Sequence, residues 1–471
     1  MPVWSRSSAR WPRRRRRYQA AAAAATAVAA AAAVLGGCQA GHTGPGAASS
    51  PAATSASSPA ATSASSLPPA GTAALPDCLT GVPVACYTPG QFRVAYGITP
   101  LLDRGIDGRG ETVVLPEVAP EQGQQGNSDI RQDLALFDGR FGLPRVHLEV
   151  TTSLAGAVSP YLATKEELGD AEMVHAVAPG AAIRIILLRQ GEVAADFAQM
   201  LRLAATLGGV VSMSIGQGER CVTSAGVSAL NSALQADRDQ DVTVIASSGD
   251  NGAAIVPCKG LTAPAPLKGV NLPASDPLVL AVGGTSLRAS RTTGAYRGES
   301  AWNTPLPPAQ ERLLPADVEP PVASNGGFSS LFPRPSYQDG VAGIGTARGV
   351  PDVAGDASPY TGMAAIQDVA GQALIGPSSG TSASAPFWAG IIALADQYAG
   401  RHLGFINPAI YRIGRGPRYR AAFHDITTGD NTVAYPAGAI TGYRAAPGWD
   451  PVTGWGSPDA QVLVPLLAAG G

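Results

Sequence analysis

Residues 182–188 read Ala-Ile-Arg-Ile-Ile-Leu-Leu and residues 210–215 read Val-Val-Ser-Met-Ser-Ile, with residues 194–207 between them at helical spacing. Both runs are largely apolar on both faces, which marks strands of a parallel sheet covered by helices on each side. Strand, helix and strand in that order make a crossover unit. The alternation continues outward, with strands expected at 112–118, 242–246 and 279–282 and helices at 166–177 and 225–236. The fold class expected is α/β, a three-layer domain with a mostly parallel central sheet flanked by helices. Residues 288–325, rich in Pro, Arg and polar side chains, are expected to form an elaborated loop.

The chain has 471 residues, 45% hydrophobic and 14% charged, enough for a substantial core. Its net charge of −2 conceals an asymmetry: seven arginines precede Tyr18, and without them 26 basic residues face 35 acidic ones, or −9. An acidic body argues against a nucleic-acid partner. Residues 1–38 have the form of an export signal, with Arg13–Arg17 as the charged region and Ala20–Leu35 as the apolar one. Leu35-Gly36-Gly37-Cys38 resembles a lipobox, with Cys38 the residue to be lipidated. Residues 39–75 are Ala, Ser, Thr, Pro and Gly with little apolar bulk, so a flexible tether is expected before a domain over 76–471. The protein is expected to be secreted or lipid-anchored on the outer face of a bacterial membrane, and to act as a monomer.

Besides Cys38, four cysteines remain, an even number that points to two disulfides in an exported protein. The pairing expected is Cys78 with Cys86 and Cys221 with Cys258. The rival, a zinc site, lacks a Cys-x-x-Cys pair and flanking histidines.

Ser379-Gly380-Thr381-Ser382-Ala383-Ser384-Ala385-Pro386 runs directly into an apolar stretch from Phe387 to Leu394. Gly380 permits close approach, and Ser382 falls where unpaired N–H groups gather at a helix start. Those groups can stabilise an oxyanion, and they can equally belong to an ordinary cap. A nucleophilic serine needs a base, and none of the five histidines lies in a motif that could serve it. Carboxylates are better placed. Glu166 and Asp170 are four apart and share a helix face that continues through Met173, Val174 and Val177 toward the interior. Paired acids there would have their pKa values driven apart. Asp250, in Ser-Gly-Asp-Asn-Gly past the strand at 242–246, could donate to an oxyanion when protonated, although such a string is more often a turn.

These residues resemble the sedolisins, the serine-carboxyl peptidases of subtilisin-like fold, from about Cys86 to Gly456. Glu166–Glu172 with Ala176–Ala181, Leu272–Ser275 with Ala281–Thr285, Gly326–Ser329 with Phe332-Pro333, and Arg348–Val353 follow the family's blocks in order and spacing. The resemblance implies a peptidase of acidic optimum with Ser382 as nucleophile, Glu166 as general base, Asp170 orienting Glu166 and Asp250 as oxyanion donor. Glu117 falls where the family often extends its carboxylate chain. It also implies one structural Ca2+ held by the side chains of Asp425 and Asp450 and the carbonyls of Ile426, Ala446 and Gly448, hard oxygen ligands suited to that ion. Two positions depart: Ile215 stands where the family usually has Trp, which would alter a substrate subsite, and Ala446 where it usually has Gly. The folded propeptide common in sedolisins is not evident between Cys38 and Cys78. Protein or peptide substrates are expected, cut by an endopeptidase; a tripeptidyl exopeptidase is the alternative. An inactive peptidase-fold binding protein is disfavoured because all four catalytic positions are filled. An esterase would need a histidine and a Gly-x-Ser-x-Gly elbow, and neither surrounds Ser382.

Overall fold

The central sheet is built from β1 (Thr112–Val118), β2 (His147–Leu154), β3 (Ala182–Leu188), β4 (Val210–Met213), β5 (Thr243–Ser247), β6 (Leu280–Ala289), β7 (Tyr296–Ala301) and β8 (Val353–Asp356). In this computed structural model the described residues are 78–79, 86–120, 127–155, 158–189, 193–255, 258, 266–304, 322–369, 371–435 and 438–470. The expected export signal, Cys38 and tether lie outside them. Strands pair in the order β2-β3-β1-β4-β5-β6, all parallel, with β8 continuing beside β6 and β7 antiparallel to the end of β6.

Alternation along the strands divides two cores. Val113, Leu115, Ile183, Ile185 and Leu187 face one, with helices α1 (Ile130–Phe141), α2 (Lys165–Val177) and, later in the chain, α5 (Thr381–Ala399). Val114, Ile186, Leu188, Val211 and Met213 face the other, with α3 (Val193–Ala204) and α4 (Ser224–Arg238). Each such Val, Ile or Leu contributes about 1.5–3 kcal/mol when fully buried. The expected three layers are present because the strands are apolar on both sides.

Two helices of the first core position the site. Thr164 caps α2 in a capping box with Glu167, donating its hydroxyl to that carboxylate while Thr164 N–H donates to Glu167 Oε2 at 2.8 Å. Helix α5 is buried from Ala383 to Asp396. It approaches α2 so closely that a Cβ on Gly390 would lie 2.6 Å from Val177 Cβ and Cγ1.

The observed elements differ from expectation in three places. β4 stops at Met213, and the next residue, Ser214, turns its hydroxyl toward Asp170 and the Ser382 carbonyl. β6 runs on to Ala289, and β7 pairs with it within the segment expected to be loop. Its polar composition disguised a buried acid: Glu299 is accommodated by hydroxyl donors from Tyr96 at 2.7 Å, Thr285 at 2.6 Å, Tyr296 at 3.2 Å and Ser457. The strand β2 and helix α1 were not anticipated; β2 lies at an edge of the sheet with an exposed, alternating face.

Both disulfides have the expected pairing, Cys78–Cys86 and Cys221–Cys258. The Arg348–Val353 block is structural. Arg348 and Asp352 form a fully buried bidentate pair at 2.7 and 2.6 Å, and Asp352 also accepts from Ala281 N–H and Tyr411 hydroxyl. Burial alone would lower the Arg348 pKa; the charge of Asp352 outweighs it and holds the guanidinium ionised.

Candidate active site

Three strand ends and two helix starts meet at one point. Glu117 is next to last in β1, Ser214 directly follows β4, and Asp250 lies just past β5. The C-terminal ends of parallel strands are where such folds carry functional groups. Above them, α2 presents Glu166 and Asp170 and α5 presents Ser382.

Ser382 is the second residue of α5. Gly380 precedes the helix at φ 84° with no side chain to cap it, so the start of α5 is served from elsewhere in the fold: Thr381 N–H has Asp250 as partner, and Ser382 N–H lies one residue further on. A Cβ on Gly380 would lie 2.7 Å from Asp250 Oδ2, so glycine is required for both backbone angle and space. Thr381 fixes Asp250 in place: its N–H and its hydroxyl each donate to Asp250 Oδ1 at 2.8 Å, leaving Oδ2 toward the helix start. Burial raises the Asp250 pKa, and the two bonds from Thr381 oppose the rise.

The Ser382 hydroxyl is hydrogen-bonded to Glu166. Protein crowded around the Glu166 carboxyl pushes it up to about 7; the bond from Ser382 lowers it, the charges of Asp250 and Glu167 raise it, and Lys165 lowers it. Glu166 is exposed on the cleft side, so water screens part of the rise. Asp170, only 2% exposed, shares a hydrogen bond with the Ser214 hydroxyl at 2.5 Å and another with Glu117, itself 1% exposed. Burial drives both well above the usual carboxylate range, helped by the negative groups around them. A cavity of about 120 Å³ opens beside these groups, lined by Lys165, Glu166, Gly169, Asp170, Ser378 and Ser382 among others.

All four expected catalytic residues therefore converge, and Glu117 joins them. The described histidines stand elsewhere. His175 pairs with Asp138 at 2.9 Å, His402 with Glu111 at 3.4 Å, His424 stacks on Tyr296 and His147 begins β2. Ser214 and the clamp of Thr381 on Asp250 were not anticipated. Neither has a sequence signal of its own, since each acts through a partner far along the chain.

A match to the subtilase family covers residues 155–405, more than half of the chain. The chain belongs to the subtilase family. Within it, the likeness is to the sedolisins, with the expected subtilisin-like fold, as the following relatives show. Kumamolisin of Bacillus sp. (strain MN-32) is 33% identical over 81% of this chain and 63% of its own length. Human tripeptidyl-peptidase 1 is 31% identical over 55% of this chain and 43% of its own. The chain thus spans less than two thirds of either relative. The solved structure of a Pseudomonas sedolisin, a serine-carboxyl proteinase complexed with pseudo-iodotyrostatin, superposes with a TM-score of 0.65 at 26% identity, over 82% of this chain and 99% of that one.

The loops expected to hold calcium in this subtilase also meet. Gly448 N–H donates to Asp425 Oδ1 at 3.0 Å, and Ala446 N–H donates to Asp450 Oδ2 at 3.1 Å. Both carboxylates thus reach residues 446–448 through N–H groups, and Asp450 also accepts from Val452 N–H, Thr453 N–H and the Thr453 hydroxyl; the oxygen donors expected here are of the kind a hard cation takes. Among the described residues Asp241 is the only non-glycine with positive φ, so Ala446 needs no glycine geometry. Ile215 is half-buried and packs against the α3–α4 core.

Proposed function

We propose that this subtilase is a secreted serine-carboxyl peptidase that hydrolyses peptide bonds in acid. The observation that carries the proposal is the Ser382–Glu166 hydrogen bond with Asp170 behind it and Asp250 across the helix start. Glu166 takes the proton of Ser382 Oγ as that oxygen attacks the scissile carbonyl carbon. The developing oxyanion accepts hydrogen bonds from Ser382 N–H and from protonated Asp250 Oδ2. Collapse breaks the C–N bond, and Glu166 returns its proton to the leaving amine. Water then attacks the acyl-serine with Glu166 again as base, and Ser382 leaves with the proton. Asp170 and Glu117 hold Glu166 in orientation. Secretion is supported by the two disulfides, which belong to oxidising compartments, and by the signal-like segment ending at Cys38. Bound calcium would tie the 425–426 and 446–450 loops together through Asp425, Asp450 and the carbonyls of Ile426, Ala446 and Gly448, without taking part in the chemistry.

Endopeptidase action is favoured by the likeness to a proteinase over most of the chain. Release of tripeptides is the second reading, favoured by the 31% identity to tripeptidyl-peptidase 1. Both are tested by digesting a denatured protein and an N-terminally blocked peptide library between pH 3 and 8. Cleavage of blocked peptides at internal bonds means endopeptidase action; cleavage only three residues from a free amine means the exopeptidase. Activity that survives Ser382→Ala or Glu166→Ala would sink the mechanism.

A further inference from the structure

Pro386 lies inside α5, four residues after Ser382. At that position an ordinary residue would donate its N–H to the Ser382 carbonyl, and proline has none to give. Ser214 supplies the missing donor, with its Oγ 3.2 Å from the Ser382 carbonyl oxygen. The same Oγ lies 2.5 Å from Asp170 Oδ2. A serine hydroxyl has one proton, so both contacts are hydrogen bonds at once only when the second proton belongs to Asp170. The chain of donors then runs from Asp170 Oδ2–H to Ser214 Oγ, and from Ser214 O–H to the Ser382 carbonyl.

We infer that Ser214 is a positioning residue that couples the proton on Asp170 to the backbone seat of the nucleophile. With Asp170 protonated, Ser214 holds the Ser382 carbonyl and fixes the first turn of α5. When Asp170 ionises, the hydroxyl turns to the carboxylate and the carbonyl is released. The titratable groups facing Asp170 are Glu117 from β1 and Glu166 and Glu167 from its own helix, all carboxyls. Each adds negative charge when ionised and strengthens the hold of Asp170 on its proton. Pro386 is what gives Ser214 its part, because it frees the carbonyl that Ser214 serves.

The inference rests on the peptidase proposal where kinetics are used, so the test has an arm that does not. Ser214→Ala is expected to lower kcat about five- to tenfold, the worth of one hydrogen bond, with KM nearly unchanged. Ser214→Thr keeps the hydroxyl and restores kcat. Adding Pro386→Ala to Ser214→Ala gives residue 386 an N–H for the Ser382 carbonyl, and kcat recovers in the double variant although the hydroxyl is still absent. Hydrogen–deuterium exchange of the segment 379–387 follows the same pattern without any substrate: faster in Ser214→Ala, slowed again in the double variant. An unchanged kcat in Ser214→Ala, or a double variant no better than the single one in both kcat and exchange, overturns the inference. Wild-type protein inactive on every peptide would refute the peptidase proposal alone, and the exchange pattern would still decide the role of Ser214.

Discussion

Asp250→Asn tests the proton arrangement of the site. Asp250 Oδ1 accepts two hydrogen bonds from Thr381, so an Asn side chain keeps its carbonyl oxygen there and places its NH2 where Oδ2 stood. The oxyanion donor is preserved but no longer titrates. In the wild-type protein the active form needs Glu166 ionised and Asp250 protonated, one proton between two acids. That form is populated only between the two macroscopic pKa values of the pair. Burial holds the Asp250 value above that of an ordinary Asp, and Glu166 is pushed up to about 7. The profile of kcat/KM should therefore be a bell lying between those limits, with its maximum in mild acid. Asn at 250 cannot ionise, so the alkaline limb disappears, and the acid limb, now set by Glu166 alone beside a neutral neighbour, stays in place or moves up in pH. Asp250→Ala, which removes the donor, should lose about 10²–10³ in kcat. The assay is hydrolysis of a fluorogenic peptide from pH 3 to 9, with circular dichroism to show that each variant is folded. An alkaline limb unchanged in Asp250→Asn, or Asp250→Ala within threefold of wild type, would refute the scheme.

Gly390→Val forces a branched side chain against Val177 and should lower stability by about 1–3 kcal/mol, seen as a lower midpoint in urea, with kcat reduced as Glu166 is moved from Ser382. Chelation of calcium should lower Tm without changing kcat of the protein still folded, and Asp425→Asn should make Tm insensitive to chelator; a Tm indifferent to both would remove the metal proposal. Buried acids whose desolvation outweighs the nearby cations favour the folded state in acid. Asp396, raised by burial to about 8, keeps its proton in the folded state while the unfolded chain ionises near 4, so stability falls as pH rises through that interval. Asp396→Asn should flatten the dependence of Tm on pH between 4 and 8, and an unchanged slope would refute the assignment.

The parallel sheet was legible because its strands are apolar on both faces, and the helix behind Ser382 because its buried run is long. Ser382, Glu166 and Asp170 were legible as local patterns: a serine at a helix start and acids one turn apart. Asp250 needed the family resemblance to distinguish it from a turn, since its locks come from Thr381 far along the chain. β7 was hidden by Glu299, whose polarity is cancelled only when four hydroxyls from separate segments gather around it. Ser214 was invisible for the same reason, because hydrogen bonds between distant segments leave no local period.

The site draws on Glu117, Glu166, Ser214, Asp250 and Ser382, each on a different strand end or helix turn of one parallel sheet. Parallel pairing joins segments that are distant in sequence, and such contacts are made late and slowly in folding. Before β1, β4 and β5 are aligned and α5 is buried against α2, there is no base beside the serine and no donor for an oxyanion. In a partly folded molecule these groups lie apart. Completion of the sheet is therefore what brings the serine, its base and the oxyanion donor together.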